Sequence, residues 1–271
     1  MKKISALIIA CSMSLAIHAQ IIDSLTSGHN NPATGGLVGY TDTTVLDNSH
    51  GAGNGLSFTS SSASGLSANY VGTGTTAEQA LFLAPVSSFS TTFAVGDTLW
   101  VSLAMPVSTT QMDFGLAVAS TATPTAAAAG NPTAWDSRTL TDFAAIYVRP
   151  SQTAVRGASS ISGTLNTSFV SGTQAANTVS QLYISWASSD VFFLGYVDSS
   201  AISHNLFTAT FAGTSTIGAA IGFYGDLRAT GTSLGTLDNL TITSTIVPEP
   251  STLAMCSMGF AGLIVLLRRK R

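Results

Sequence analysis

The chain predicts an all-β fold, a two-sheet antiparallel β-sandwich. Three observations carry this. Helical periodicity is almost absent. Short apolar or alternating runs recur between Gly, Ser, Asn and Asp breaks, which is the signature of strands. About ten such runs with no helix among them leave two packed sheets as the way to bury their apolar faces.

In chain order, Leu56-Ser57-Phe58 and residues 66–71 (LSANYV) are the first clear strand segments. Gly96-Asp97 makes a turn that launches 98–105. There Leu99, Val101, Leu103 and Met105 share one face, and Trp100 points the other way. Residues 112–118 repeat the pattern with Met112, Phe114, Leu116 and Val118, and 143–149 (FAAIYVR) form a near-continuous apolar run. Residues 179–186 place Leu182, Ile184 and Trp186 together. Ser188-Ser189-Asp190 then connects tightly to 191–197 (VFFLGYV), which reads as a hairpin. The Gly- and Ala-rich 217–224 (IGAAIGFY) reads as a strand closely approached by another backbone. Residues 237–243 (LDNLTIT) form the last strand, with Leu240 and Ile242 on the buried face and Thr241 and Thr243 opposite. Between 119 and 141 the chain is irregular, because Pro124, Gly130, Asn131 and Pro132 break any helix. Long loops in compact domains are often functional, and Trp135, Asp136 and Arg138 make this one chemically richer than a linker.

The two ends differ from this body. Met1-Lys2-Lys3 is basic, 4–17 is mostly apolar and Ala19 is small. Residues 1–19 therefore read as a secretory signal peptide cut before Gln20. Ile8-Ile9-Ala10-Cys11 loosely resembles a lipoprotein cleavage box, but the apolar run before Cys11 is too short. At the other end, Pro248-Glu249-Pro250 is held extended, since proline fixes its own φ and pushes the preceding residue out of the α region. Residues 252–267 follow without a charge, a membrane segment somewhat shorter than the roughly 20 residues that span comfortably. Arg268, Arg269, Lys270 and Arg271 would hold that end on the cytoplasmic side.

The body, residues 20–246, suits one all-β domain. The only cysteines, Cys11 and Cys256, lie in the two end segments, so the body has neither disulfide nor thiol chemistry. Its apolar core alone must hold it, which is feasible at this size. The body has no lysine. Its four cations, Arg138, Arg149, Arg156 and Arg228, stand against twelve carboxylates, a balance of −8 that the formal −3 of the whole chain hides. An acidic body without a basic cluster argues against nucleic acid as a partner.

Catalytic signatures are missing. Glycosidase chemistry needs paired carboxyls, yet the body has one glutamate, Glu78, and no strand carries two acids on one face. No Gly-x-Ser-x-Gly elbow accompanies His29, His50 or His204, and no metal-type Cys or His spacing occurs. Calcium is the one metal worth weighing. Asp23, Asp226 and Asp238 are candidate oxygen donors, against the plainer reading that Asp226 pairs with Arg228 or caps a turn. For a sugar, an aromatic platform with polar neighbours is required. Trp186 reads as core, Trp100 is open to either reading, and Trp135 with Asp136 and Arg138 is the best exposed candidate.

The C-terminal pattern, Pro248-Glu249-Pro250, an uncharged apolar run and Arg268 to Arg271, resembles the PEP-CTERM sorting signal of Gram-negative bacteria. That resemblance implies recognition by an integral-membrane exosortase, cutting near the Pro-Glu-Pro, and release to the cell surface or extracellular matrix. The alternative for the same run is a permanent membrane anchor. Residues 1–19 add the Sec export machinery as a partner. Four body segments, VGDTLWVSLAMP, QLYISW to FFLGYV, IGAAIGFYGDLRA and LGTLDNLTIT, look like the concanavalin/laminin-G-like jelly roll. The function these resemblances imply is an exported, non-catalytic, lectin-like surface or matrix protein contacting extracellular polysaccharide. The competing readings are a secreted carbohydrate-active enzyme and a purely structural matrix component.

Overall fold

The computed structural model describes residues 16–26, 40–47, 55–61, 65–71, 78–104, 112–121, 142–149, 154–161, 164–170, 178–211, 217–227 and 233–246. Among them the chain forms fifteen strands and one short 3-10 turn, Val86–Phe89. The first five strands are β1 (Ala16–Asp23), β2 (Thr41–Asp47), β3 (Gly55–Ser61), β4 (Gly65–Val71) and β5 (Glu78–Pro85). Next come β6 (Asp97–Ala104), β7 (Met112–Ala119), β8 (Phe143–Arg149), β9 (Ala154–Ile161) and β10 (Thr164–Val170). The last five are β11 (Val179–Ser188), β12 (Val191–Asp198), β13 (Ser203–Thr210), β14 (Ala220–Leu227) and β15 (Ser233–Ile246). Sheet I has the order β13-β12-β11-β6-β15-β4-β3, with β1 paired to β15; sheet II has the order β10-β9-β8-β7-β14-β5-β2. The expected antiparallel sandwich is therefore present. One compact unit spans Ala19–Thr243.

Alternation builds the core between the sheets. On β6, Leu99, Val101 and Leu103 are buried while Thr98, Trp100 and Ser102 are half-buried on the other face. Leu182 and Ile184 of β11 and Leu240 and Ile242 of β15 join them from sheet I. Phe114, Leu116 and Val118 of β7, Ile146 and Val148 of β8, and Ile221 and Phe223 of β14 face them from sheet II. Trp186 packs against this core, its ring stacked on Phe192 at 5.1 Å, as its alternation predicts.

The last strand contains a slip. Asn239 takes a left-handed backbone (φ 54°), a conformation Asn tolerates because its short polar side chain bonds locally. Two successive residues, Asp238 and Asn239, then fall between the buried Leu237 and Leu240. The Gly-rich strand is β14, Ala220–Leu227, rather than 217–224, since Gly218 (φ 91°) turns the chain just before it. The close approach expected there is real. A Cβ on Gly222 would lie 1.9 Å from the Phe82 carbonyl oxygen.

Where their side chains are described, the central strands β5, β7, β8 and β14 of sheet II are buried on both faces. Leu81, Leu83, Ala117, Phe143, Ala145, Tyr147 and Tyr224 form a second cluster that alternation places on the face away from sheet I. Asp113 and Arg149 lie at one end of the same face, opposite one another on β7 and β8, and form a buried ion pair. Among the described residues no helix is long and apolar enough to cross a membrane. The segment expected to do so, 252–267, lies outside the described residues.

Candidate functional site

The outer face of sheet I carries a polar and aromatic groove. The register of β6 against β11 sets Trp100 beside Tyr183, Ser102 beside Gln181 and Thr98 beside Ser185. On the other flank of β6, β15 presents Asn239, Thr241 and Thr243. Trp100 Nε1 donates to Thr243 Oγ1 (2.7 Å), and Thr243 Oγ1 donates onward to the Thr98 carbonyl (3.3 Å). The Thr98 and Ser185 hydroxyls lie 3.1 Å apart. These bonds fix the indole at one rim. The Tyr183 ring lies 4.9 Å from it, tilted by 45°. Tyr183 crosses β12 over Gly195, where a Cβ would come within 2.4 Å of the phenol oxygen. Burial pushes the Tyr183 phenol up from its ordinary value, so it stays a neutral donor and acceptor at neutral pH.

Beside this pair opens a cleft of about 260 Å³ lined by Trp100, Ser102, Gln181, Asn239, Thr241 and Thr243, with Ala19 at its edge. A second cavity of about 250 Å³ shares Ser102 and runs on past Leu103, Ala104, Thr236 and Asp238. The first has only amide, hydroxyl, indole and methyl groups, with no carboxylate, histidine or thiol among its described lining. Such a surface can stack an apolar ring face and exchange hydrogen bonds with hydroxyls. It offers nothing to activate a nucleophile.

The sequence candidates fall in different places. Trp135, Asp136 and Arg138 lie outside the described residues, as do Pro248, Glu249, Pro250 and Arg268 to Arg271. Asp23 accepts from the Leu25 amide (2.9 Å) and the Tyr40 hydroxyl (2.8 Å). Burial raises the Tyr40 phenol far above its ordinary value, and the Asp23 charge adds to this. Asp226 stands on β14 opposite Asp113 of β7, and Asp238 lines the second cavity. Among the described residues no group of three His, Cys, Asp or Glu side chains could hold a metal. Sequence reasoning left Trp100 open and did not bring Tyr183 and Thr243 to it, nor Gln181 and Asn239 to the same cleft. Alternation on β6 was the available signal.

One histidine is engaged elsewhere. Asp198 closes the β12–β13 hairpin by accepting from the Ser200 and Ile202 amides (2.8 and 3.0 Å) and contacting His204 Nε2 (2.9 Å). The His204 bond is the largest cause holding the Asp198 carboxyl below its ordinary value.

Residues 247–271 match the family described as the PEP-CTERM protein-sorting motif. The motif marks an exported surface protein that is processed by an exosortase and held transiently at a membrane before release. No curated protein matches the chain. A crystal structure of a protein of unknown function from Shewanella oneidensis MR-1 is similar over 85% of this chain and 87% of its own, at 16% identity and a TM-score of 0.40.

Proposed function

We propose that this exported protein is a non-catalytic, lectin-like module whose groove on sheet I contacts extracellular polysaccharide. The observation that carries the reading is the fixed Trp100 indole beside Tyr183, facing a cleft edged by Ser102, Gln181, Asn239 and Thr241. A pyranose presents an apolar C–H face and a rim of hydroxyls, and this lining has a counterpart for each. Strand order supports a jelly-roll ancestry of the concanavalin/laminin-G kind, since the late strands β14 and β15 lie among the earlier β5, β6 and β7. In this reading Trp100 takes the platform role that the sequence alone gave to Trp135.

The test is glycan binding by parent and Trp100→Ala proteins, with reducing-sugar release followed in the same samples. Binding without hydrolysis, weakened roughly tenfold or more by the substitution, is the expected result. Released sugar would favour the enzyme alternative. Silence in both assays would favour a structural matrix component.

A further inference from the structure

We propose that the groove continues past Ser102 into a second subsite built on Asp238, and that its ligand is a linear polysaccharide bearing free amino groups. The inference rests on the glycan reading of the Trp100 cleft and adds the class of polymer. Two cavities share Ser102 and follow one strand, from Trp100 through Ser102 to Ala104. Four residues of strand advance about 13 Å, which is longer than one sugar ring. The two cavities differ in chemistry. The first is uncharged; the second holds the Asp238 carboxylate.

One oxygen of that carboxylate lacks a donor among the described residues. Asp238 Oδ1 is buried with no hydrogen-bond partner. An ionised carboxylate is acceptor-only, and leaving one without donors is costly. The slip at Asn239 puts Asp238 in this position by placing two successive residues between buried leucines. A ligand ammonium would supply both charge and donors, in the stronger class of hydrogen bond. A hydroxyl would supply a donor alone. A uronate would set one carboxylate against another, which selects against acidic polymers. The body's charge acts in the same direction, because four arginines against twelve carboxylates attract cations.

The experiment titrates the full chain, in a detergent without a sugar headgroup, with oligomers of glucosamine, glucose and galacturonate. Wild type should bind the glucosamine oligomer roughly five- to tenfold more tightly than the glucose oligomer, and galacturonate most weakly. Asp238→Asn should collapse the glucosamine-to-glucose ratio towards one. Both arms of that ratio use one preparation, so loss of folded protein lowers them together and leaves the ratio unchanged. Raising the salt should also shrink the wild-type ratio. Equal affinities in wild type, or a ratio that survives Asp238→Asn, overturns the subsite. If glucose-oligomer binding is lost in Trp100→Ala while Asp238→Asn changes no preference, the aromatic cleft stands and the second subsite falls. Binding of no oligomer overturns both.

Discussion

Trp100 and Thr243, separated by 143 positions in sequence, are joined by a 2.7 Å hydrogen bond from indole to hydroxyl across the seam of β6 and β15. The bond ties the rim of the groove to the closing strand of the domain. Thr243→Val keeps the shape and removes the acceptor, leaving a half-buried donor unpaired. The cost should be about 1 kcal/mol, the lower end for an unsatisfied polar group because water reaches part of the ring. Urea unfolding measures it, and a red-shifted tryptophan emission would report the released indole. Thr243→Ser should behave as the parent. An unchanged midpoint and spectrum in Thr243→Val would mean that the bond does not hold the platform.

The Asp113–Arg149 pair predicts a different pattern. Both side chains are nearly or wholly buried on the far face of sheet II. Arg149→Met removes the charge partner of a buried carboxylate and should destabilise by about 3–5 kcal/mol. The double variant Asp113→Leu/Arg149→Met should recover much of that loss, since apolar groups of similar volume often replace a buried pair at little cost. Chemical denaturation of the two singles and the double closes the cycle. Strict additivity would show that the two charges are not coupled.

Legibility in the sequence followed the burial pattern. Strands β6, β11 and β15 could be read because one face is core and the other is less buried, and β7 because its large side chains Phe114, Leu116 and Val118 alternate with small ones although both faces are buried. The run FAAIYVR of β8 could be read as a strand, and its continuity is what burial on both faces requires. The strands β1, β2, β5, β9, β10 and β13 were not legible. Segments such as TLNTSFV and SHNLFTAT mix Ser, Thr and Asn with single apolar residues and carry little periodicity. The groove was half legible. Alternation turns Trp100 away from Leu99 and Val101, but the order β11-β6-β15 that surrounds it comes from pairings of distant segments. No local pattern encodes those. The slip at Asn239 that frees Asp238 likewise depends on a single backbone angle.

The Asp198 hairpin predicts a pH effect with a definite sign. Its folded carboxyl lies below the ordinary value, held there first by the bond to His204 and then by the Ile202 amide. A depressed carboxyl stabilises the fold above the unfolded-state value of about 3.9 and loses that contribution as pH falls through the folded value. Asp198→Asn should therefore melt below the parent at pH 5–6, and the two curves should converge towards pH 2. A gap that stays constant across this range would assign the effect to geometry rather than charge.

Leu240 and Thr241 are neighbours on β15 with opposite fates. Leu240 is fully buried among the core residues, and Thr241 lines the groove. Leu240→Ala should cost about 2–5 kcal/mol, as truncation of a packed leucine does. Thr241→Ala should leave the unfolding midpoint nearly unchanged and show instead in glycan binding. Equal destabilisation by both would contradict the one-sided burial of this strand.

The sorting motif constrains where processing can cut. Strand β15 runs to Ile246 and carries Leu237, Leu240 and Ile242 in the core, and the motif begins at residue 247. A cut inside β15 would strip core leucines and leave its neighbours β6 and β4 as open edges. The released protein should therefore end at or beyond Ile246 and lack the apolar run and Arg268 to Arg271. Intact-mass measurement of the exported form tests both limits. Replacing Pro248, Glu249 and Pro250 by alanine removes the extended tripeptide and should leave the unprocessed chain in the membrane fraction. Normal release of that variant would assign exosortase recognition to other residues, and a mass that retains 251–271 at steady state would make the tail a permanent anchor.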